Sequence, residues 1–184
     1  MKITILNGNP SIENAAFDEY TNKLAEALES NGHSAKALQL RDKDIRYCIG
    51  CFGCWVKTPG ECSTAVDDTQ EIRREYINSD LVIFASPIIM GFTSALLKKA
   101  HDRNLGLILP YLVIDQEESH HLARYDKYPF MGLLLEKGED ADDEDVKIIS
   151  DCYMRDAINF KTSLRFTKLT SNPIEEVLDE INSI

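Results

Sequence analysis

Five short apolar segments alternate with five segments of helical periodicity along this chain of 184 residues. The apolar segments are rich in β-branched and aliphatic residues, as buried strands are; they cover residues 2–6, 35–40, 81–85, 130–135 and 164–169. Helices are predicted between and after them, at about 14–31, 67–77, 92–103, 139–160 and 173–184. The alternation predicts an α/β fold with a parallel sheet covered by helices on both faces.

The economical arrangement of five such strands is the doubly wound, flavodoxin-like parallel sheet with the strand order 2-1-3-4-5. We expect one domain over residues 1–184, with a cysteine-rich loop at 46–62 and an insertion at 104–129, where prolines and polar residues interrupt regular elements. Ligands of doubly wound sheets bind outside the carboxyl ends of the strands, where the strand order switches. The loops after strands one and three are therefore the first candidates for a binding site.

Four of the five cysteines lie within fifteen residues, at Cys48, Cys51, Cys54 and Cys62. Gaps of two, two and seven residues allow one loop to bring four thiolates around a single centre, as iron–sulfur ligation requires. Zinc is a second reading, although structural zinc loops usually pair two close cysteines with two distant ligands. A third is a set of reduced or redox-active thiols near a cofactor.

The loop after the first strand runs from Asn7 to Asn14 and leads into a helix. The first amides of a helix are unpaired and attract anions, so this loop suits a phosphate group. It lacks the nucleoside-triphosphatase and dinucleotide fingerprints, which favours a single phosphate such as that of FMN. An ordinary polar turn with a capping residue is the alternative. The candidate phosphate-binding residues are Asn7, Asn9, Ser11, Asn14 and Ala15.

The loop after the third strand combines an apolar wall with polar groups, as a planar ring requires. Its alternative reading is a strand end followed by a helix start. The candidate ring-binding residues are Ser86, Pro87, Ile88, Ile89, Met90 and Gly91.

His120, His121 and Arg124 lie in the insertion. A histidine pair is compatible with metal binding or acid–base chemistry, but it lacks the i, i+4 spacing of a helix-borne metal site. A structural or subunit-contact role is the alternative.

The composition restricts the class of partner. A formal net charge of −11 disfavours nucleic acid and anionic membranes, which attract clustered Lys and Arg. No apolar run reaches the roughly 18 residues that span a bilayer, and the first residues lack the pattern of a secretory signal. We expect a cytoplasmic protein with small-molecule partners, whose cysteines serve metal or redox chemistry rather than a disulfide framework.

These motifs together resemble the flavodoxin-like NAD(P)H-dependent FMN reductases, and in particular their iron–sulfur flavoprotein branch. The resemblance covers nearly the whole chain and is carried by residues 7–11 with Asn14, the cysteine loop followed by Asp67 and Asp68, Ser79-Asp80, Ser86-Pro87, Lys98 and Asp102-Arg103. It implies FMN as prosthetic group and electron transfer between NADH or NADPH and an acceptor, either a small redox substrate or an electron-transfer protein. It further implies a four-iron four-sulfur cluster on the four cysteines, and we expect a homo-oligomer.

Three positions depart from the pattern of that family. Ser11 stands where an arginine commonly pairs with the phosphate, and Ile89 stands where tyrosine is common. The acidic segment 136–143 replaces a glycine-rich loop, which predicts a less favourable site for an anionic flavin. The hypotheses are an FMN-dependent oxidoreductase and, as the alternative, a noncatalytic thiol or metal redox sensor on the same scaffold.

Overall fold

A computed structural model describes residues 1–115 and 117–184. Its main sheet has five parallel strands in the order β2-β1-β3-β7-β8, and the two-residue strand β4 pairs antiparallel to β3. The strands of this sheet are β1 Lys2–Asn7, β2 Ser34–Gln39, β3 Leu81–Ile89, β4 Phe92–Thr93, β7 Phe130–Glu136 and β8 Leu164–Leu169. The five parallel strands follow the predicted order 2-1-3-4-5, so the doubly wound α/β fold is confirmed.

Helices cover both faces of the sheet, as the alternation of segments requires. The helices are α1 Ala15–Ser30, α2 Gly53–Val56, α3 Thr69–Ile77, α4 Ala95–Asp102, α5 Asp143–Asn159 and α6 Ile174–Asn182. Phe17 and Leu24 of α1 pack with Val177 of α6 on one face, while Tyr76 of α3 and Tyr153 of α5 belong to the larger core on the other. Because β3 is central and buried on both faces, its residues 81–87 are almost wholly apolar.

Close packing inside the sheet depends on a glycine in β7. A Cβ atom added to Gly132 would lie 2.4 Å from the ring of Phe166 in the neighbouring strand β8. The ring therefore occupies the space that any larger residue at position 132 would need.

The end of β3 differs from the sequence expectation. The strand was expected to end at Ser86-Pro87, but it continues to Ile89 and turns back into β4 through Met90 and Gly91. Both turn residues have positive φ angles, 52° and 77°, as a two-residue hairpin turn with the twist of a sheet requires. As a consequence α4 begins at Ala95, capped by Ser94, rather than at Phe92 or Thr93.

The insertion is more regular than its prolines and polar residues suggest. A 3₁₀ helix, Arg103–Leu107, leads into a separate antiparallel hairpin of β5 Ile108–Asp115 and β6 Glu118–Ala123. The acidic run before α5 has its expected place, since Asp142 caps the helix and forms a capping box with Asp145. No helix in the described ranges is both long and apolar enough to cross a membrane.

Candidate functional site

The loops after β1 and β3 meet at the carboxyl edge of the sheet. Gly8 N donates to Ala85 O at 2.8 Å, and Ser94 Oγ donates to Gly8 O at 2.5 Å. A Cβ atom at Gly8 would lie 2.6 Å from Cβ of Leu97, so a glycine is needed for this close approach. The structure thus brings the two predicted loops together at the switch point of the sheet.

The first two asparagines of the first loop are structural. Asn7 Nδ2 donates to Asp18 Oδ1 and Thr21 Oγ1, both at 2.9 Å, and its Oδ1 accepts from Asn9 N at 2.9 Å. Asn9 Nδ2 donates to Asp18 Oδ1 at 3.0 Å and to Asn14 O at 2.9 Å, and its Oδ1 accepts from Ser11 N at 3.0 Å. Both side chains are fully buried, so they shape the loop while their own donors are already used.

Asn14 stands at the start of α1, where a phosphate would approach the first amides. Its Oδ1 accepts from Phe17 N at 3.4 Å, which makes it the N-cap. Its Nδ2 donates to Glu136 Oε2 at 2.5 Å. Glu136 ends β7 and is paired in register with Pro87 of β3. The first amides of a helix carry partial positive charge that suits a phosphate, and α1 begins at Ala15. The Glu136 carboxylate, bonded to Asn14, lies beside this end of the helix and opposes an anion.

The hairpin at the end of β3 provides the predicted apolar surface only at its tip. Ser86 is fully buried, and its Oγ donates to Pro87 O at 2.7 Å and accepts from Ser94 N at 2.8 Å. Ile89 and Met90 are exposed, Met90 completely. Ser86 therefore stabilises the hairpin from inside, and the tip is the part that can contact a flat ring. A Cβ at Gly91 would lie 3.0 Å from Asp145 Oδ1, which places the tip against the start of α5.

The four clustered cysteines line one small cavity of about 30 Å³. The short helix α2 carries Cys54, and left-handed backbone at Gly50, Phe52 and Gly60 turns the loop back on itself. Trp55 stacks on Phe52 with 5.1 Å between ring centroids, and its Nε1 donates to the carbonyls of residues 105 and 108 at 3.0 and 2.9 Å. The four cysteines thus lie around a common cavity, and that they share one metal centre stays a prediction.

Two buried arginines face the same cavity. Arg103 pairs with the buried carboxylate of Asp67 at 3.2 Å. Arg73 Nη1 donates to Gly60 O at 3.0 Å, and its Nε has no hydrogen-bond partner among the residues that the structure describes. Burial and the charge of Arg103 lower the pKa of Arg73, while the sulfurs of Cys62 and Cys54 act in the opposite direction. Buried cations beside four sulfurs favour a negatively charged centre.

The thiols themselves differ in acidity. A backbone hydrogen bond from Gly53 lowers the pKa of the exposed Cys51, whereas burial raises that of Cys54. Burial alone would raise the pKa of Cys62, but hydrogen bonds from Thr64 and Ala65 together with the charge of Arg103 outweigh it and lower the pKa.

The positions of the sulfurs do not by themselves define a metal centre. No group of three or more His, Cys, Asp or Glu side chains in the described ranges has the spacing that holds a metal ion. A four-iron cluster is wider than a single ion, so its cysteines stand farther apart, and the cluster with its four thiolates is anionic. Donor type, donor number and surrounding charge thus fit a cluster.

The insertion histidines do not form a pair. His120 Nδ1 lies 3.2 Å from Asn159 Oδ1, while His121 Nδ1 lies 2.7 Å from Leu109 O. Arg124 Nε donates to Gly106 O at 2.8 Å. Neighbouring strand residues point to opposite faces, which separates the two rings. His120 thus contacts α5, His121 Nδ1 contacts β5 within the hairpin, and Arg124 contacts the 3₁₀ helix.

Sequence reasoning misses two residues of the cysteine site. Arg73 follows the buried Ile72 and precedes the buried Tyr76 by three positions, so helical spacing places it at the inner face of α3. A cation on such a face needs a buried partner. An arginine on the inner face of a predicted helix could therefore have indicated a nearby negatively charged group. Arg103 is named only through the family resemblance, because its partner Asp67 is 36 residues away.

Comparisons with known proteins agree with this architecture. The family model described as NADPH-dependent FMN reductase matches residues 1–105. An iron–sulfur flavoprotein of Archaeoglobus fulgidus is 29% identical over 104 residues, which are 56% of this chain and 49% of the relative. An iron–sulfur flavoprotein of Methanocaldococcus jannaschii is 32% identical over 108 residues, 58% of this chain and 53% of the relative. The chain thus spans about half the length of the curated relatives it matches.

Solved structures extend the similarity of fold to the whole chain. The FMN complex of an FMN-dependent NADH-azoreductase from Bacillus anthracis superposes with a TM-score of 0.59 at 15% identity, covering 99% of this chain and 94% of that one. Smu.1420 from Streptococcus mutans gives a TM-score of 0.63 at 13% identity, covering 100% and 97%. At such identities the likeness concerns the fold alone. The family match over more than half of the chain shows that this protein belongs to the NADPH-dependent FMN reductase family.

Proposed function

We propose that this protein is an FMN-dependent oxidoreductase that moves electrons between a reduced nicotinamide, NADH or NADPH, and an acceptor. The observation that carries the proposal is the joining of the loops after β1 and β3 by Gly8 and Ser94 at the amino end of α1. That edge combines unpaired amides with an exposed apolar hairpin tip. FMN bound there would supply the electron chemistry, and the protein would orient the flavin and exclude water.

Each loop has a separate task in this proposal. The amides at Ala15 and the cap Asn14 hold the phosphate, while Ile89 and Met90 contact the ring. Glu136 must release Asn14, or lie beside the phosphate, when the flavin binds. We therefore expect weaker FMN binding than a site with an arginine at position 11 would give.

The second part of the proposal is that Cys48, Cys51, Cys54 and Cys62 hold one four-iron four-sulfur cluster. It is supported by Arg73, a buried cation next to the four sulfurs with no partner for its Nε among the described residues. The cluster would supply single-electron transfer. A noncatalytic redox sensor is the alternative, favoured by the lowered pKa and exposure of the Cys51 thiol. The homo-oligomer, the cytoplasmic location and the nature of the acceptor stay predictions.

A titration of flavin fluorescence tests the FMN site. Asn14→Asp should weaken binding by about 1–3 kcal/mol, because a charge-assisted contact becomes a repulsion. Anaerobic NADH or NADPH should then bleach the flavin band. The oxidoreductase proposal fails if protein at micromolar concentration gives no saturable quenching. If dithionite bleaches bound flavin and neither nicotinamide does, an electron-transfer flavoprotein or a sensor remains.

Iron and acid-labile sulfide, measured after anaerobic purification, test the cluster. About four of each per chain are expected for a four-iron four-sulfur centre, falling in Cys54→Ser. Cys152→Ser is the matched control, since Cys152 lies on α5 outside the cysteine cavity. Background iron in the native protein would favour the thiol alternative.

A further inference from the structure

A cavity of about 490 Å³ lies between α4, α5 and the β5–β6 hairpin. Its volume is in the range of small-molecule sites, and it includes none of the residues predicted to bind the flavin or a metal. The apolar part of its wall consists mainly of rings and branched side chains, namely Phe92, Leu105, Ile108, Tyr153 and Phe160. Such a wall favours a flat aromatic ligand.

The charged side chains around this cavity are paired with one another. His101 Nε2 lies 2.5 Å from Asp156 Oδ2, and Lys98 contacts Asp102. Arg155 Nε lies 3.2 Å from Glu118 Oε1. A charged ligand would lose its hydration without gaining a free counter-charge, so the wall favours an uncharged one.

One buried polar atom of the wall, Nε2 of His120, lacks a hydrogen-bond partner among the described residues. His120 is 4% exposed. Asn159 Oδ1 accepts from His121 N at 3.1 Å, which fixes the amide orientation, so the nearby His120 Nδ1 carries the proton. Glu118 Oε2 is 3.2 Å from Nε2, a contact that is an ion pair only when the imidazole is protonated.

A hydroxyl group of a ligand would satisfy this atom. It donates to the Nε2 of a neutral imidazole and accepts from that of a protonated one, so it satisfies His120 in either state. An ether or a hydrocarbon of the same shape lacks the donor.

We propose that this cavity binds an uncharged phenolic compound of two or three fused rings, with its rings against Tyr153 and Phe160 and its hydroxyl on His120. The site is separate from the proposed flavin cleft. Leu105 and Asp102 also line the cysteine cavity, so the ligand would lie one side chain away from the four sulfurs.

Equilibrium dialysis with 2-naphthol tests the proposal on the purified full chain, with and without saturating FMN. We expect saturable binding of one molecule per chain in both conditions. 2-Naphthoate should bind about tenfold more weakly because its carboxylate has no free counter-charge. 2-Methoxynaphthalene should lose about fivefold because it cannot donate.

Variants locate the bound probe. Cys152 lines the cavity and is exposed, so Cys152→Phe should fill the entrance and weaken 2-naphthol about tenfold, whereas Cys152→Ser should leave its affinity unchanged. His120→Phe should weaken 2-naphthol about fivefold and 2-methoxynaphthalene much less. If His120→Phe does not fold, His120→Leu serves as the second variant, with the same difference expected between the two probes.

Three results would overturn the proposal: no saturable binding of 2-naphthol, displacement of the probe by FMN, or equal affinity in Cys152→Phe and Cys152→Ser. A loss in His120→Phe that is the same for 2-naphthol and its methyl ether would also refute it, because it would show a change of shape rather than a lost hydrogen bond.

Discussion

Asp67 is expected to anchor the cysteine loop, and its replacement by asparagine is the most informative test of the architecture. Its carboxylate is fully buried against Arg103, 3.2 Å away. It accepts from Arg46 N at 3.2 Å, at the start of the loop, and from Thr69 N at 3.1 Å, at the start of α3. One carboxylate therefore joins the start of the cysteine loop, the start of α3 and the beginning of the 3₁₀ helix.

The cost of Asp67→Asn follows from these contacts. Removing one charge from a buried pair usually costs about 3–5 kcal/mol, because the other charge stays buried. Arg46 N and Thr69 N donate to different oxygens of Asp67. Asparagine keeps only one oxygen, so one of these contacts is lost as well, and we expect about 4 kcal/mol, the middle of that range. For a chain of this length that corresponds to a fall in Tm of about 8–16 °C. Urea unfolding followed by circular dichroism, at pH 7, measures the change in free energy.

The pH dependence gives an independent check. Burial alone would raise the pKa of Asp67, but hydrogen bonds from Thr69 and Arg46 and the charge of Arg103 outweigh it and lower the pKa. The contribution of Asp67 to stability is therefore complete above the unfolded value of about 3.9 and is lost as the pH falls through the lower folded value. The difference between the native protein and Asp67→Asn should shrink below about pH 4.

A matched variant separates the buried pair from a general effect of charge. Asp44 lies in the same segment, its side chain is 66% exposed, and its pair with Arg46 is 3.9 Å long. Asp44→Asn should change the free energy of unfolding by less than about 0.5 kcal/mol. If Asp67→Asn costs no more than Asp44→Asn, the anchoring role assigned to Asp67 is refuted.

Three further substitutions test single features. Gly132→Ala should destabilise the chain by about 1–3 kcal/mol because its Cβ would lie 2.4 Å from the Phe166 ring. Gly138→Ala is the control, because a Cβ there would have nothing within 4 Å. Equal unfolding midpoints for the two variants would contradict this packing. Tyr76→Phe should raise the free energy of unfolding by about 1 kcal/mol, since the buried hydroxyl has no partner among the described residues; a clear loss in thermal melts would point to an undetected partner. Glu136→Gln should tighten FMN about threefold to tenfold in fluorescence titrations by removing a carboxylate from the phosphate position, and unchanged affinity would place the phosphate elsewhere.

The sheet was predictable because its signal is local. Residues 81–85 and 130–135 are continuous apolar runs, and a parallel strand buried on both faces requires such a run. The continuation of β3 to Ile89 was not predictable in the same way. It depends on left-handed backbone at Met90, a conformation that a methionine rarely adopts, so the residue type gave no turn signal.

The spacing of the four cysteines predicted that they lie together, and they line one cavity; that they bind a metal centre stays a prediction. The contacts of the candidate site were not predictable where a side chain has a distant partner. The sequence predicts that the Asn14 side chain donates to a phosphate. In the structure it donates to Glu136, 122 residues away. The sequence likewise predicts that Ser86 contacts the ring of a ligand. In the structure its Oγ accepts from Ser94 N inside the hairpin. Whether the predicted residues bind FMN is a question for the titrations above.

The 3₁₀ helix Arg103–Leu107 explains why the insertion and the cysteine loop belong together. Its carbonyls accept from both sides: Leu105 O from Trp55 of the cysteine loop, and Gly106 O from Arg124 of the insertion. A Cβ at Gly106 would lie 3.1 Å from Cβ of Cys54 and 3.2 Å from Nη1 of Arg73. The loop approaches this helix so closely that a side chain at position 106 would require Cys54 or Arg73 to shift by a few tenths of an ångström.

This arrangement gives the insertion a mechanical role at the cysteine site. The hairpin fixes the 3₁₀ helix through Arg124, and through Tyr128, which donates to Leu107 O. The 3₁₀ helix in turn fixes Trp55 and carries Arg103 to Asp67. Because each step is a hydrogen bond or ion pair between groups that are at least partly buried, loosening the insertion would release one wall of the cysteine cavity. The insertion thus acts as part of the frame that holds the four sulfurs.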